Sequence, residues 1–348
     1  MAAASKKFIF VTGGAGFIGS AFIRIALEAT DFDIVNFDAL TYAGNLENLK
    51  EVDSDRHRFV LGNICDRGAV LRALPENTVA IFNFAAESHV DRSIVSAQPF
   101  LETNIVGTQV LLDCAKERGV GRFIQVSTDE VMGTLDENPQ NFFNEDSSLK
   151  PNSPYAASKA AAELFVRAAG ETFGIDYVIT RCGNNYGPRQ FPEKLIPLMI
   201  SNAINDEPLP VYGDGLNVRD WIYVDDHCRA ILAAFEKGKS KSIYNIGARN
   251  QKNNLEVVHT ILNLLGKPES LIRFVKDRPG HDRRYAIDPT KAEKELDWRP
   301  QVDWETGLKQ TIEWYLNNKQ WVDHVKSGEY KDYYEKMYAE RLLTSQIA

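Results

Sequence analysis

Three small groups of residues carry chemistry. The first is Gly14-x-Gly16-x-x-Gly19, with Gly13 just before it, set between the strand-like FIFVT and a helix expected to begin near Phe17. Glycines in this pattern allow a tight turn, let the backbone approach a pyrophosphate and let the helix pack on the strand, while the helix N-terminus faces the anion. A second strand, DIVNF, ends at Asp38, 19 residues after Gly19, close to the ~20-residue offset of an acid that binds a ribose 2′-hydroxyl. A carboxylate there repels a 2′-phosphate, so the expected cofactor is NAD. The second group is Tyr155-x-x-x-Lys159 in SPYAASKAAAELF, where Ser153 suits a helix cap and Pro154 its first position, placing phenol and ammonium one turn apart on one face. A phenol of pKa ~10 must fall by roughly 3 units to act as a base near neutrality, and an adjacent ammonium plus the nicotinamide cation has the required sign. The third group, Thr128-Asp129-Glu130, follows the strand RFIQVS. Two carboxyl groups in unlike surroundings hold different protonation states, one an acid and one a base, the division of labour that elimination of water needs. Plain alternatives exist for each: a glycine turn beside a surface Asp, a Tyr and a Lys on a helix surface, and a solvated acidic turn.

The elements that must position these residues follow from the apolar rhythm. FIFVTGG, DIVNFDAL, RFVLGNI, AIFNFAA, RFIQVSTDE and YVITRC alternate with amphipathic stretches, the βαβ pattern of a parallel sheet. Nearly continuous apolar strands belong in a sheet covered on both faces, so the expected fold is α/β, a doubly wound Rossmann-type parallel sheet with ligands at the carboxyl ends of the strands. After about residue 184 the rhythm breaks into Pro- and Gly-punctuated segments such as DEPLPVYGDG and VKDRPGHDRR. We therefore expect an NAD-binding domain over 1–184, with a return at about 219–247. A smaller mixed α/β substrate-binding lobe is expected from 185–218 and 248–348. The aromatics of WETGLKQTIEWYLNNKQW read as a packing face.

Composition excludes other classes. The chain has 348 residues, 44% of them hydrophobic and 25% charged, and a net charge of -8, an ordinary globular profile without the basic field that nucleic-acid binding requires. Cys65, Cys114, Cys182 and Cys228 form no C-x-x-C pair, and the six histidines form no zinc-type cluster, so reduced thiols and no metal are expected. With no apolar signal segment and no run of ~18 apolar residues, no membrane association is expected and a cytoplasmic location is the default.

Taken together, GGAGFIGS, DALTYAGN, FAAESHVDRS, STDEV, SPYAASKA, NNYGP, FPEKLIP, RDWIYVDDH, YNIG and DRPGHDRRYAID resemble the extended short-chain dehydrogenase/reductase family, and within it the nucleotide-sugar 4,6-dehydratases, over nearly the whole chain. The resemblance implies that dTDP-glucose is the substrate and that bound, recycled NAD is the cofactor. It implies that Tyr155, helped by Lys159 and Thr128, takes the proton of the 4-hydroxyl, that Glu130 takes the C5 proton and that Asp129 protonates the departing 6-hydroxyl. For NAD it implies Gly13, Gly16, Phe17, Ile18, Gly19, Asp38, Leu40, Thr41, Asn63, Ile64, Ala85, Ala86, Ser88, Thr103, Tyr155, Lys159 and Asn184. For the sugar nucleotide it implies Ser88, Thr128, Asn184, Glu193, Lys194, Leu195, Pro210, Tyr212, Arg219, Asn254, Asp277, Arg278 and His281. Arg219 answers a need of any nucleoside diphosphate sugar, since guanidinium groups bind phosphate oxygens bidentately; Arg278 and Arg283 are further candidates for it. A homodimer through two helices of the first domain is implied by resemblance alone. Met132 stands where relatives commonly have Tyr, Asn63 where an Asp is usual, and Ala39 where a Lys is frequent. The alternatives are a UDP-glucose or GDP-mannose 4,6-dehydratase, a UDP-sugar 4-epimerase or decarboxylase, and a non-catalytic protein that binds NAD or a sugar nucleotide. The acid pair argues against the epimerase and the decarboxylase.

Overall fold

A computed structural model describes residues 6–327; the last 21 positions of the second lobe expected from sequence lie outside the described residues. Twelve strands are present among them: β1 (Phe8–Thr12), β2 (Asp33–Asp38), β3 (His57–Leu61), β4 (Thr78–Asn83), β5 (Arg122–Thr128), β6 (Tyr177–Cys182), β7 (Asn184–Tyr186), β8 (Leu209–Tyr212), β9 (Val218–Tyr223), β10 (Ser242–Ile246), β11 (Gln251–Asn253) and β12 (Ile272–Val275). Seven form one parallel sheet in the order β10-β6-β5-β4-β1-β2-β3. The order reverses between β1 and β4, and ligand crevices open at the carboxyl ends of strands at such a reversal.

The strands are apolar on both sides because both faces are covered. Helices Phe17–Ala29 and Val224–Lys237 pack on one face, burying Phe22, Ala26, Ile231 and Leu232. Helices Thr108–Arg118 and Pro154–Phe173 cover the other with Leu111, Leu112, Val166 and Ala169. The long helix starts as its sequence directs: the Ser153 hydroxyl accepts from Ala156 N at 3.1 Å, Pro154 fills the first position, and Gly174 ends it in the left-handed conformation.

A smaller lobe holds two short sheets, β11-β9-β7 and β12-β8. Its core joins Tyr186, Trp221, Val257, Ile261, Ile312, Tyr315 and Trp321, the last three from the aromatic tail. Of the stretch 219–247, β9 pairs with β7 and β11 in the small sheet, whereas the following helix and β10 belong to the large one.

Candidate active site

The glycine turn follows β1. Gly13 has a φ of +70°, and a side chain there would place its Cβ 2.6 Å from Ala85 N. At Gly19 the added carbon would lie 2.2 Å from Gly13 O, so the helix sits on the turn at a distance only glycine permits. Gly16 caps the helix without a side-chain acceptor, leaving its first N–H groups available to an anion. Asp38 ends β2 with both oxygens held, Oδ2 by Ala15 N at 2.9 Å and Oδ1 by Leu40 N at 2.8 Å. Burial raises its pKa and these two N–H groups oppose the rise.

From this turn one cleft of about 350 Å³ runs along the carboxyl ends of the strands to the second lobe. Its walls bring together Gly13, Gly16, Phe17, Ile18, Gly19, Asp38, Thr41, Asn63, Ile64, Ala85, Ala86, Ser88, Thr103, Thr128, Asp129, Glu130, Tyr155, Lys159, Asn184, Glu193, Lys194 and Leu195. These are expected site residues that lie far apart in the chain. Leu40, Pro210, Tyr212, Arg219, Asn254, Asp277, Arg278 and His281 are not in its walls. Leu40, at a φ of +50°, contributes its backbone N–H to Asp38. The others stand behind the second-lobe end.

At the catalytic end the chain leaves β5 and turns at once into a short 3-10 helix, Asp129–Met132, with the Thr128 hydroxyl accepting from Glu130 N at 3.3 Å. Asp129 is 1% exposed and its Oδ2 has no hydrogen-bond partner among the described residues. Burial, then the neighbouring Glu130, pushes the Asp129 carboxyl well above its ordinary range, and Arg219 only partly offsets this. Glu130 is also raised by burial, but Arg278, Lys194 and Arg219 all pull it back. The two acids therefore face different surroundings, one cation opposing burial at Asp129 and three at Glu130.

Tyr155 and Lys159 project from the long helix as its spacing requires. The Lys159 ammonium donates to Val126 O at 2.7 Å, and burial lowers its pKa to about 8. The Tyr155 phenol moves opposite to the fall that a base requires: burial, then the charge of Glu130, drives it well above its ordinary value. The Lys159 bond to β5 spends part of the ammonium's charge on a carbonyl.

Lys194 lines the second-lobe end, and other cations stand outside the walls. Lys194 Nζ donates to Ser88 O at 2.6 Å. Arg219 is buried with Nη2 donating to Asp282 O at 3.0 Å and its guanidinium 4.2 Å above the Tyr285 ring. His281 Nδ1 lies 2.6 Å from Asp277 Oδ1, and burial followed by Arg278 and Arg219 lowers its pKa to about 4. Asn254 starts the helix Asn254–Leu265, and Pro210 sits in β8 beside Arg273 of β12. Arg283, by contrast, is engaged in outward ion pairs with Asp214 at 2.9 Å and Glu137 at 3.2 Å.

Two of the departures noted in sequence have local explanations. Met132 is 2% exposed, packed with Val131, Phe143, Ala160 and Ile287, its sulfur 3.6 Å from Arg181 Nη1. Asn63 Oδ1 accepts from Cys65 N at 2.9 Å, shaping the turn after β3. Sequence reasoning missed Asn48, Glu87, Arg189, Phe191 and Trp321, which also line the cleft. Trp321 Nε1 donates to Asn48 Oδ1 at 3.0 Å, and Asn48 Nδ2 to Ala15 O at 2.9 Å, tying the aromatic tail to the glycine turn. The only signal was the tail's aromatic spacing, which says that it packs but not where.

The family model described as GDP-mannose 4,6 dehydratase matches residues 10–311. A dTDP-glucose 4,6-dehydratase of Shigella flexneri is 48% identical, the match covering 96% of this chain and 99% of that protein. The chain belongs to the dTDP-glucose 4,6-dehydratase family. Among solved structures, DesIV, the dTDP-glucose 4,6-dehydratase of Streptomyces venezuelae with NAD and dTDP bound, superposes with a TM-score of 0.89 at 50% identity, covering 92% of this chain and all of that one. The Bacillus anthracis enzyme in complex with NAD gives 0.86 at 46%, with coverage of 92% and 100%. These neighbours share the seven-stranded sheet and its flanking helices. Among the described residues no helix is long and apolar enough to cross a membrane, and no group of three or more His, Cys, Asp or Glu is placed to hold a metal ion.

Proposed function

We propose that the protein converts dTDP-glucose to dTDP-4-keto-6-deoxy-glucose and water with NAD as a bound, recycled cofactor. The observation that carries this reading is the acid pair of buried Asp129 and half-buried Glu130, unlike in surroundings, in the same cleft as Tyr155, Lys159 and the glycine turn. The glycine cradle, the free N–H groups after Gly16 and the carboxylate of Asp38 suit a dinucleotide without a 2′-phosphate. When bound, NAD supplies the positive ring that draws the Tyr155 phenol down and the acceptor that takes hydride from C4 and returns it at C6.

The protein's residues move the protons. Tyr155 takes the proton of the sugar 4-hydroxyl, with Lys159 and Thr128 stabilising the phenolate, and C4 becomes a ketone. The C5 proton is then acidic and passes to Glu130, while Asp129, held protonated by burial, gives its proton to the 6-hydroxyl, which leaves as water. Glu130 returns its proton to C5 as hydride arrives at C6, and the proton left on Tyr155 equals the one that Asp129 has spent. Lys194, Arg219 and Arg278 answer the two charges of the diphosphate. The corresponding division of the chain is a cofactor domain built on the large sheet and a substrate lobe built on the two small ones.

We further propose a homodimer. Leu101, Val106, Leu164 and Phe165 are exposed apolar side chains on or beside the packed helices Thr108–Arg118 and Pro154–Phe173, a surface that a second copy would cover. The unpaired thiols Cys65, Cys114, Cys182 and Cys228 support the reducing cytoplasm as its compartment.

The test incubates the purified protein with dTDP-glucose, UDP-glucose and GDP-mannose in parallel and identifies products by mass and NMR. Loss of one water from dTDP-glucose, with no added NAD and no net reduced nicotinamide, is expected. An unchanged mass with a C4 epimer would overturn the elimination, and turnover of another nucleotide sugar alone would overturn the base.

A further inference from the structure

The stretch 88–92, which ends the segment after β4 and begins the short helix Val90–Val95, grips the second lobe through Ser88, His89, Asp91 and Arg92. Ser88 O accepts from Lys194 Nζ at 2.6 Å, His89 Nε2 lies 3.5 Å from Glu193 O, and Arg92 Nε pairs with Glu193 Oε2 at 3.3 Å. At its centre Asp91, its side chain only 4% exposed, divides its two oxygens between two other second-lobe residues. Oδ2 accepts from the Tyr212 hydroxyl at 2.9 Å and Oδ1 lies 3.3 Å from Arg278 Nη1. Tyr212 closes β8 and Arg278 lies three residues beyond β12, the strand that pairs with β8 in one small sheet.

From this geometry we infer that Asp91 is a positioning residue for substrate binding, holding Arg278 and Tyr212 in one orientation across the lobe boundary so that Arg278 presents its remaining donors to the diphosphate. The inference rests on the function proposed above. Three features carry it. Arg278 Nε is buried and donates to no acceptor among the described residues, so the guanidinium keeps an unspent donor while Asp91 holds Nη1. A planar fork held on one side loses less freedom on binding an anion than a free side chain does. The charge of Arg278 also reaches Glu130 and opposes the rise of that carboxyl, which places Arg278 beside the sugar end of the cleft. Asp91 touches neither the cleft wall nor the reacting groups, and it acts through Arg278.

The test compares Asp91→Asn, Arg278→Gln, the double variant and Tyr212→Phe. It measures dTDP affinity by calorimetry, KM and kcat for dTDP-glucose, retained NAD and melting temperature. Asp91→Asn keeps an acceptor for Tyr212 and removes the charge that holds Arg278. Its dTDP Kd and its KM are expected to rise about tenfold, with kcat within about twofold of wild type and NAD content unchanged. The double variant is expected to bind dTDP no more than about twofold worse than Arg278→Gln alone, because the two residues act as one unit. Tyr212→Phe leaves the ion pair intact and is expected to weaken dTDP binding about threefold, which keeps the inference testable if Asp91→Asn does not fold. Wild-type dTDP affinity in Asp91→Asn, additive losses in the double variant, or an effect on kcat alone would each overturn it. Wild-type protein that binds dTDP but leaves dTDP-glucose unchanged would sink the proposed function instead, and the Kd comparison would still decide the role of Asp91.

Discussion

Replacing Asp129 by Asn separates oxidation from elimination. The two side chains have the same shape, and the site holds the residue at 1% exposure with Thr128 Oγ1 3.3 Å from Oδ1, so the amide fits without moving Tyr155 or Lys159. What is lost is an acidic proton: burial and Glu130 keep the wild-type carboxyl protonated well above the usual range, and an amide has none to give. General acid catalysis contributes about 10²- to 10⁴-fold, and at a residue this enclosed bulk water cannot replace the donor, so elimination is expected to slow by about 10³-fold. Oxidation at C4 needs Tyr155 and not Asp129. Mixing the variant with dTDP-glucose in a single turnover is therefore expected to build up enzyme-bound reduced nicotinamide, seen by absorbance, while quenched samples analysed by mass show no loss of water. Water loss at the wild-type rate would refute the assignment of the acid. Failure of reduced nicotinamide to appear would refute the separation of roles, placing Asp129 in the oxidation. The same variant carries a stability signature. A carboxyl whose folded pKa is raised contributes its full stability below the unfolded value of ~4 and loses it as pH climbs towards the folded value, so wild type is expected to lose stability relative to Asp129→Asn as pH rises above ~4 in denaturant titrations.

Lys159→Met removes the only ammonium on the Tyr155 face of the helix; the oxidation step, followed by reduced-nicotinamide absorbance, is expected to slow about 10²-fold. Gly19→Ala forces a carbon to within 2.2 Å of Gly13 O; protein purified from it is expected to carry little NAD, and denaturation to show a loss of about 1–3 kcal/mol. Glu163 accepts from Ser127 Oγ at 2.5 Å and pairs with Arg181 at 2.8 Å, both side chains 3% exposed. Glu163→Gln leaves a buried guanidinium short of its counter-charge and is expected to cost about 3–5 kcal/mol in urea unfolding. Phe165→Asp places a charge on the exposed apolar helix face and is expected to shift the protein from dimer to monomer in light scattering, with the melting of the monomer little changed.

Local spacing made the groups that meet in the cleft legible because each depends on neighbours in the chain. The glycine pattern needs only the strand before it and the helix after it; Ser153 and Pro154 start the helix that sets Tyr155 and Lys159 one turn apart; and Asp38 is the last residue of its strand. What sequence did not show depends on partners far away. Trp321 meets Asn48 from 273 positions along the chain, and no periodicity in WYLNNKQW names its target. β9 reads like one more strand of the parallel sheet, yet it pairs with β7 and β11, because its neighbours are set by the small lobe. The sign of the Tyr155 shift also escaped: the i, i+4 spacing shows a lysine nearby, but not that the ammonium donates to Val126 O or that Glu130 faces the phenol.

The division of labour between Asp129 and Glu130 is likewise not a property of the residue pair. Asp129 is buried and Glu130 half-buried, both belong to the turn after β5, and loss of solvent raises both. Their surroundings differ in exposure and in the cations that oppose the rise: Arg219 at Asp129, and Arg278, Lys194 and Arg219 at Glu130. Arg278 and Arg219 belong to the second lobe, and Lys194 reaches the first through Ser88 O. The glycine turn and the Tyr/Lys pair stand on the large sheet and its helices, whereas the charges around the two acids come in part from the second lobe. In the proposed cycle the second lobe therefore tunes the acid and the base through Arg219, Arg278 and Lys194, while the grip of Ser88–Arg92 on that lobe serves binding.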